Sequence, residues 1–226
     1  TCRDARTGQP AFIKGLLPGC EIHGALADFI DFGRTEFWLL RCGRWFQLDS
    51  PSTHRIGACS TVIDNQLYVC GGRGGSLRSR ELGVNIYANI LDFAEVYSYS
   101  INRWLCIASA MKKPRYNAVC CAHGDSLVVA GGFNDEDGYL ASAEAFSPAT
   151  GWTSLPPMPH AAYLATAVVL GGRLYVAGGD YCDKLQMWDG TAWTLKADLP
   201  AERFGAASVA VDGKMWVIGG CTPRRG

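Results

Sequence analysis

The sequence predicts an all-β fold made of repeated sheets, because two signals recur along it in a fixed order. The first is an eighteen-residue segment that ends in a Gly-Gly pair and holds two apolar runs separated by a turn dipeptide such as Asp212-Gly213, which is typical of a β-hairpin. The second is a tryptophan ten or eleven residues before each segment. Self-similarity of this kind indicates a repeat architecture. The segments are 55–72, 115–132, 162–179 and 203–220, and the tryptophans are Trp45, Trp104, Trp152 and Trp193.

Each repeat is predicted to contain four antiparallel strands. The hairpin supplies two, and its second strand lacks clean alternation of apolar and polar residues, which indicates burial on both faces. Two outer strands are predicted around each tryptophan, the first marked by a short segment such as Glu95-Val96-Tyr97. Four strands alone cannot bury both faces of a sheet, whereas sheets stacked around a common axis can. The sequence therefore predicts a β-propeller. The corresponding segments elsewhere are Glu36-Phe37-Trp38, Glu144-Ala145-Phe146 and Leu185-Gln186-Met187.

The order of a leading arginine, a hairpin, a Gly-Gly pair, Glu-x-Tyr and a tryptophan resembles the kelch repeat over about residues 36–220. The distances between successive Gly-Gly pairs, 60, 47 and 41 residues, bracket the kelch period of about 50. Two positions depart from the pattern, since Ala162 replaces the leading arginine and Met187 stands at the expected tyrosine position. The resemblance implies a kelch-type β-propeller with four recognisable blades, which form either a complete ring or part of a larger or incomplete one.

A single propeller domain is predicted over residues 36–226, with repeats at about 55–109, 115–156, 162–199 and 203–226. The last repeat is expected to be completed by outer strands from residues 36–50, because pairing of the two would leave no sheet edge open. Residues 1–35 are expected to be a degenerate half-blade or a linker, since glycine and proline interrupt them too often for a long helix.

Composition argues against several functional classes. The 21 basic and 21 acidic residues give a formal net charge of zero, which removes the electrostatic case for nucleic acid or an anionic membrane surface as a partner. No apolar run approaches the roughly 20 residues that span a bilayer. The ten cysteines include no C-x-x-C pair, which argues against zinc-ribbon and thioredoxin-like sites. The sequence has no recognisable signal peptide or N-x-[ST] acceptor, so the cytoplasm or the nucleus is the expected compartment.

Two groups of side chains are expected to serve packing. Cysteines on predicted strands stand where sister repeats carry small or aliphatic residues, so their expected role is that of a small buried hydrophobe. The aromatic residues of the outer strands are expected to pack between blades. The cysteines are Cys59, Cys70, Cys106, Cys120 and Cys121, and the aromatic residues are Tyr97, Trp104, Phe146, Trp152 and Trp193.

The candidate functional surface is the end of the blades where the connections vary in length. The turns inside the hairpins hold two to four residues and lie at one end, whereas the long segment 73–93 and the acidic loop 134–137 lie at the other. Variable loops on a rigid scaffold usually form the binding surface. The predicted partner-binding residues are Arg55, Arg73, Arg78, Arg80, Arg115, Tyr116, Phe133, Asn134, Asp135, Tyr139, Asp180, Tyr181, Arg203 and Phe204.

The chemistry of this surface is mixed. Aromatic anchors beside charges of both signs favour a protein or peptide partner. Two alternatives stay open at this point. The leading arginines Arg55, Arg115 and Arg203 could pair with neighbouring blades or backbone carbonyls, and the charged loops could be ordinary solvated turns.

The resemblance to kelch proteins implies a protein-interaction module that is not an enzyme and needs no cofactor. Many kelch proteins bind a substrate on the loop face and present it to a cullin-type ubiquitin ligase through a BTB or F-box domain. Neither domain is readable in residues 1–35, so this adaptor role rests on the resemblance alone.

The alternative function is a propeller enzyme that acts on a sugar or another small molecule, like the copper radical oxidases or mutarotases of similar fold. A copper site needs two imidazoles and tyrosine oxygen around one metal. His123 lies in a hairpin turn, and only His54 and His160 are expected to share a face, in repeats that are not adjacent. The sequence has no G-x-S-x-G, P-loop, H-E-x-x-H or dinucleotide fingerprint. It therefore predicts no catalytic or metal-binding residue.

Overall fold

The computed structural model describes residues 2–3, 10–11, 13–17, 20–24, 37–41, 44–48, 50–53, 55–64, 66–78 and 85–222. Every regular element within these residues is a β-strand, which confirms the predicted all-β class. None of them forms a helix that is long and apolar enough to cross a membrane. The strands are β1 (Cys2–Arg3), β2 (Pro10–Ala11), β3 (Ile13–Leu17), β4 (Cys20–Gly24), β5 (Phe37–Arg41), β6 (Arg44–Leu48), β7 (Arg55–Ile56), β8 (Cys59–Ile63), β9 (Gln66–Cys70), β10 (Arg73–Arg78), β11 (Asn85–Ile90), β12 (Ala94–Ser98), β13 (Arg103–Cys106), β14 (Val119–His123), β15 (Ser126–Ala130), β16 (Phe133–Asn134), β17 (Gly138–Tyr139), β18 (Ala143–Ser147), β19 (Gly151–Leu155), β20 (Thr166–Leu170), β21 (Arg173–Ala177), β22 (Leu185–Trp188), β23 (Trp193–Leu195), β24 (Phe204–Val211) and β25 (Lys214–Cys221).

Four-stranded antiparallel sheets form the blades. Blade 1 is β3-β4-β5-β6, blade 2 is β8-β9-β12-β13, blade 3 is β14-β15-β18-β19 and blade 4 is β20-β21-β22-β23. The hairpin β24-β25 continues the series as a two-stranded sheet, here named half-blade 5. The hairpins predicted from the four eighteen-residue segments are all present, as β8-β9, β14-β15, β20-β21 and β24-β25.

The N-terminal blade differs from the prediction. Strand β5 pairs with β4, where Leu40 lies opposite Glu21, and β5 forms a hairpin with β6. The predicted pairing of residues 36–50 with the C-terminal repeat is therefore wrong. The physical reason is that β3 and β4 form an inner hairpin and β5 is the next described strand along the chain. Strands that follow one another in sequence usually pair. The division of the chain between residues 35 and 36 stays a prediction.

The outer strands of blade 4 are shifted by one residue from the predicted alignment. Gln186 occupies the register that Glu144 occupies in blade 3. Trp188 consequently lies opposite Trp193, in the arrangement of the aromatic–tryptophan pairs of blades 2 and 3. The aromatic position of this repeat is Trp188, and its prediction at Met187 is wrong. The loop between the Gly-Gly pair and β22 is short in this repeat. Alignment with the other repeats therefore places the third strand one residue too early.

The seam between successive blades is built on the Gly-Gly pairs. The amide of Gly72 donates to the carbonyl of Arg115, at the start of the next repeat, at 2.9 Å. The preceding glycine, Gly71, has a φ of 59°, and a Cβ there would lie 2.4 Å from the same carbonyl oxygen. Glycine is required here because any side chain would collide with the next blade. The equivalent bonds run from Gly132 to Ala162 and from Gly179 to Arg203, both at 2.8 Å.

A second series of seam bonds joins the residues two positions beyond each repeat start. The amide of Asn117 donates to the carbonyl of Gly57 at 2.6 Å, and that of Leu164 donates to Asn117 at 3.1 Å. The amide of Gly205 then donates to Leu164 at 2.8 Å. All four residues have positive φ angles, between 51° and 64°. The seam is therefore reciprocal, since each blade donates to the following blade through its Gly-Gly pair and accepts a hydrogen bond from it at the second series.

Apolar side chains fill the spaces between blades. Phe146 and Trp152, whose ring centroids are 5.4 Å apart, belong to a core shared with blade 2 residues such as Tyr68. Tyr97 and Trp104 are 5.3 Å apart and pack on the other face of blade 2. These rings therefore serve packing rather than a ligand site.

The strand cysteines follow the packing expectation with one exception. Cys59 and Cys70 are buried, Cys120 and Cys121 are half-buried, and all four are free thiols. Burial raises the pKa of Cys121 to about 12. Cys106 is exposed, so its predicted role as a buried hydrophobe is wrong. It lies on β13, the outermost strand of blade 2, where one face meets solvent.

Candidate functional site

The variable connections lie together at one end of the described blades, here named the loop rim. The hairpin β10-β11, within segment 73–93, pairs with β7 at the start of the same repeat. Its first residue, Arg73, places its guanidinium 5.6 Å from the ring centroid of Tyr116, where the next repeat begins. The hairpin turns lie at the opposite end, where the Nε2 of His123 lies 2.9 Å from the carbonyl oxygen of Gly172.

Two leading arginines lie beneath the rim and hold their blades together. Arg115 is 1% exposed and donates to Glu144 Oε1 and to the carbonyl oxygen of Gly131, both at 2.8 Å. Arg55 is 4% exposed and forms the same buried ion pair with Glu95, and burial lowers the pKa of Arg55. Buried, paired guanidinium groups cannot contact a partner. The prediction of Arg55 and Arg115 as partner-binding residues is therefore wrong, and the alternative of structural pairing describes them.

The repeat without a leading arginine lacks the buried carboxylate as well. Blade 4 begins at Ala162, and the residue in the glutamate register is Gln186. Its amide accepts a hydrogen bond from the His160 amide at 2.8 Å and donates to the His160 carbonyl at 3.1 Å. A buried carboxylate without its cation is costly, whereas a neutral amide can be satisfied by the backbone. The leading residue and the third-strand residue thus change together within this one chain.

Four rings in mutual contact form an aromatic cluster on the rim between blades 3 and 4. Tyr139 and Tyr163 stack with ring centroids 5.0 Å apart and an interplanar angle of 12°. Tyr116 lies edge-on to Phe133 at 5.6 Å and to Tyr163 at 5.8 Å. The hairpin β16-β17 brings Phe133 and Tyr139 together, and a backbone bridge joins Phe133 to Tyr116. Tyr139 is 45% exposed, so the cluster presents a ring face to solvent.

Charged groups of both signs flank the aromatic cluster. The guanidinium of Arg73 lies over Tyr116 and 3.5 Å from Asp135 Oδ2. On the other side, the Tyr139 hydroxyl donates to Asp180 Oδ2 at 2.7 Å. The cluster therefore lies between the Arg73–Asp135 pair and the half-buried carboxylate of Asp180.

A buried asparagine shapes the acidic loop. Asn134 is nearly inaccessible, and its side-chain oxygen accepts hydrogen bonds from the amides of Glu136 at 3.1 Å and Asp137 at 2.6 Å. Asp137 is in turn paired with Lys113 at 2.8 Å. Asn134 thus positions the loop, whereas the neighbouring Asp135 side chain is the part that a partner can reach.

Tyr163 belongs to the cluster although it is absent from the predicted site. It follows Ala162 as Tyr116 follows Arg115 and as Phe204 follows Arg203. The alignment of the repeats therefore carries a signal for Tyr163, although the arginine that marks this position in the other repeats is replaced by Ala162. The side-chain amide of Asn117 donates to the Tyr163 hydroxyl at 3.0 Å. Burial of the ring raises the pKa of Tyr163 to about 12.

The remaining predicted residues lie away from the ring contacts. Tyr181 is highly exposed beside Asp180, and Arg203 and Phe204 are half-buried at the start of β24. Among the described residues, neither Tyr181 nor Phe204 contacts the rings of the cluster. The side chain of Arg78, the whole of Arg80 and the predicted rim histidine His54 lie outside the described residues.

Comparison with known proteins identifies the repeats. Residues 54–111 and 114–159 match the family description "Kelch motif". Two segments of this chain therefore match the kelch motif. The fold matches the solved structure of YjhT with a TM-score of 0.74 and 18% identity, over 92% of this chain and 72% of that one. A likeness at this identity bears on the fold alone, and it confirms the predicted kelch-type β-propeller.

The relatives that this chain matches are considerably longer. The chain is 32% identical over 142 residues to Kelch-like protein 36 of Rattus norvegicus, a match that covers 61% of this chain and 21% of that protein. It is 28% identical over 156 residues to an F-box/kelch-repeat protein of Arabidopsis thaliana, covering 65% of this chain and 33% of that protein. The chain therefore spans between a fifth and a third of the length of these relatives.

We expect replacement of Asp180 with asparagine to lower the pKa of Tyr139. The hydrogen bond to the Asp180 carboxylate is the largest cause that raises the pKa of this phenol to about 12, and an amide stabilises the neutral phenol less. In Asp180→Asn the pKa should fall toward the ordinary value of about 10. The measurement is the absorbance titration of phenolate, with Tyr139→Phe as the reference that isolates this ring. Asp135→Asn is the matched control, and an unchanged titration in Asp180→Asn would contradict the assigned bond.

The described residues of this chain contain no group of three or more His, Cys, Asp or Glu side chains that could hold a metal ion.

Proposed function

We propose that the loop rim of this chain binds a partner protein or peptide through the aromatic cluster and its flanking charges. The observation that carries the proposal is the half-exposed ring of Tyr139, stacked on Tyr163 and held by Asp180. Aromatic rings fixed by their neighbours and open on one face are typical interface anchors. Arg73 and Asp135 on one side add groups that select a partner by charge.

The rim is organised before any partner arrives, which supports the same proposal. The Asn134 amide and the Lys113–Asp137 ion pair hold the loop that carries Asp135. The ion pair between Arg115 and Glu144 anchors the chain directly before Tyr116. A preorganised surface loses less conformational entropy on binding, so more of the contact energy contributes to affinity.

The finer proposal is that the partner is a substrate and that this chain belongs to the substrate adaptor of a cullin-type ubiquitin ligase. Its support is the similarity to Kelch-like protein 36 and to an F-box/kelch-repeat protein. The propeller enzyme with a sugar or small-molecule substrate stays the alternative hypothesis.

Site-specific photo-crosslinking tests the binding proposal. A benzophenone amino acid is placed at position 139 of the full chain, and in a matched variant at Arg173, which is exposed at the start of β21, next to a hairpin turn at the opposite end. Position 139 is expected to give a specific protein adduct from cell extract, and position 173 is not. The adduct is then identified by mass spectrometry and the partner is purified. Equal adducts from both positions, or none from 139, would contradict the rim as the binding surface.

The affinity for the purified partner measures how much Tyr139 contributes to binding. Tyr139→Ala is expected to weaken affinity by about 30-fold, as for a hot-spot aromatic residue worth about 2 kcal/mol. Arg173→Glu should leave affinity unchanged. The adaptor role is measured separately as partner half-life in cells, which should lengthen with Tyr139→Ala. Weakened capture with an unchanged half-life would overturn the adaptor role and keep the binding role.

A further inference from the structure

Three thiols meet in the seam between blades 2 and 3. Cys59 of β8 lies directly opposite Cys70 of β9, and its thiol donates to the Cys70 carbonyl oxygen at 3.7 Å. Both residues belong to the apolar core that blade 2 shares with blade 3, and Cys120 of β14 packs against that core. The Cys120 thiol is also a hydrogen-bond partner of the Cys59 sulfur. Sulfur atoms of neighbouring blades are therefore in contact.

The same two positions meet in the other seams, where they carry different side chains. Cys59 is the fourth residue after the start of its repeat, and Cys120 is the fifth after the start of the next. Between blade 4 and half-blade 5 these positions hold Thr166 and Ser208, and Thr166 Oγ1 donates to Ser208 Oγ at 2.7 Å. The repeat geometry thus brings the two side chains together. The residues at these positions between blades 3 and 4 are Val119 and Ala167, which share one apolar cluster.

The next residue along β14 is a thiol that faces away from this seam. Successive side chains of a strand point to opposite faces, and Cys121 accordingly packs in the core between blades 3 and 4. Cys120 and Cys121 are both half-buried. They therefore differ in the blade that they face rather than in exposure, which makes Cys121 a reference thiol for Cys120.

The surroundings of Cys59 favour the thiolate, which is the reactive form of cysteine. Hydrogen bonds from the Cys120 and Cys70 thiols lower the pKa of Cys59, and the buried Arg115 cation adds to this effect. Burial raises the pKa of both neighbouring thiols. Exposure distinguishes the two neighbours, because Cys120 is half-buried whereas Cys70 is 1% exposed. A small oxidant therefore reaches this seam on the side of Cys120.

We propose that Cys59 and Cys120 form a reversible disulfide that links blades 2 and 3 when the protein meets hydrogen peroxide. The Cys59 thiolate attacks one peroxide oxygen and becomes a sulfenic acid, and the displaced hydroxide takes up the proton that Cys59 released. The Cys120 sulfur then attacks the sulfenic sulfur, and its thiol proton leaves with the hydroxyl group as a second water. Each sulfur loses one electron and the peroxide gains two.

The bond is reversible because a thiolate of a small dithiol can attack it and restore both cysteines by exchange. This modification site lies in the seam beneath the loop rim, and the binding proposal does not use it.

Oxidation of the reduced full chain with hydrogen peroxide tests the proposal. The remaining thiols are alkylated under denaturing conditions, and the chain is digested with trypsin, which releases the three thiols in peptides 56–73 and 116–173. Mass spectrometry is expected to find these two peptides joined within one chain and separated again by dithiothreitol. Absence of the joined pair, or a bond between Cys59 and Cys70 inside peptide 56–73, would overturn the proposal.

Variants taken from the sister repeats assign the two sulfurs. Cys59→Val and Cys120→Ala introduce the residues that the seam between blades 3 and 4 has at these positions, and each should abolish the joined pair. Cys121→Ala and Cys70→Ala should leave it at the yield of the wild type. A joined pair that survives in Cys120→Ala, or that disappears in Cys121→Ala, would overturn the proposal.

Urea unfolding measures whether the bond fits the native seam. The two cysteines lie 61 positions apart along the chain, so their cross-link restricts the unfolded state and should raise the urea midpoint by about 1 M. Dithiothreitol should reverse the shift, and peroxide-treated Cys120→Ala should show none. An unchanged or lowered midpoint in the cross-linked protein would overturn the proposal, because the sulfurs would then have left their native positions to meet.

Discussion

Replacing Arg115 with alanine is expected to lower the free energy of unfolding by about 3–5 kcal/mol, because the change leaves the Glu144 carboxylate buried without a cation. Both side chains are almost fully shielded from water, and the guanidinium also serves the carbonyl oxygen of Gly131. The measurement is urea unfolding of the full chain followed by tryptophan fluorescence. Arg203→Ala, at the equivalent but partly exposed position, is the matched control and should cost less than about 1 kcal/mol.

A double variant tests the cause of that loss. Arg115→Ala with Glu144→Gln copies the Ala162 and Gln186 pair of blade 4, in which a neutral amide bonds to the backbone. It should recover about 2 kcal/mol of the loss, since the uncompensated charge has been removed. A double variant no more stable than Arg115→Ala would show that lost packing, rather than the buried charge, dominates.

The second large effect is expected at the seam glycine Gly131. A Cβ at this position would lie 2.1 Å from the carbonyl oxygen of Ala162 in the next blade, and its φ of 70° disfavours any L side chain. Gly131→Ala should therefore lower the free energy of unfolding by more than about 3 kcal/mol. Urea unfolding again provides the measurement.

Gly219→Ala is the matched control for this seam. Gly219 has the same φ of 70°, but a Cβ there meets nothing within 4 Å. Its cost should be the conformational penalty alone, about 1–2 kcal/mol. Equal losses for Gly131→Ala and Gly219→Ala would refute the steric role of the blade-to-blade contact.

The hairpins and their Gly-Gly pairs were predictable from the sequence because turn dipeptides, apolar runs and glycines with special backbone angles act locally. The errors came from non-local pairing. Residues 36–50 carry a correct outer-strand pattern, but the pattern does not say which inner hairpin they join. Likewise, the sequence assigns the aromatic position of blade 4 to Met187, whereas the structure has Trp188 there. The shorter loop of this repeat changes the number of residues before the strand, while the cross-strand register stays the same.

The candidate site shows the same division between local and non-local information. Tyr116, Phe133 and Tyr139 were predictable because variable loops carry them to one rim. The burial of Arg55 and Arg115 was not, because it depends on a glutamate about 30 or 40 residues away that the fold brings beneath the rim. Sequence alone therefore assigns an arginine next to a loop to the surface, because the glutamate that pairs with it lies far away along the chain.

The hydrogen bond from each Gly-Gly pair to the next repeat has a consequence for the nascent chain. The Gly72 amide finds its acceptor only when Arg115 has left the ribosome. At roughly 5–20 residues per second, that interval lasts about 2–9 seconds. Each of these blades therefore leaves the ribosome before the acceptor of its Gly-Gly amide, and the blade translated after it completes the hydrogen bond.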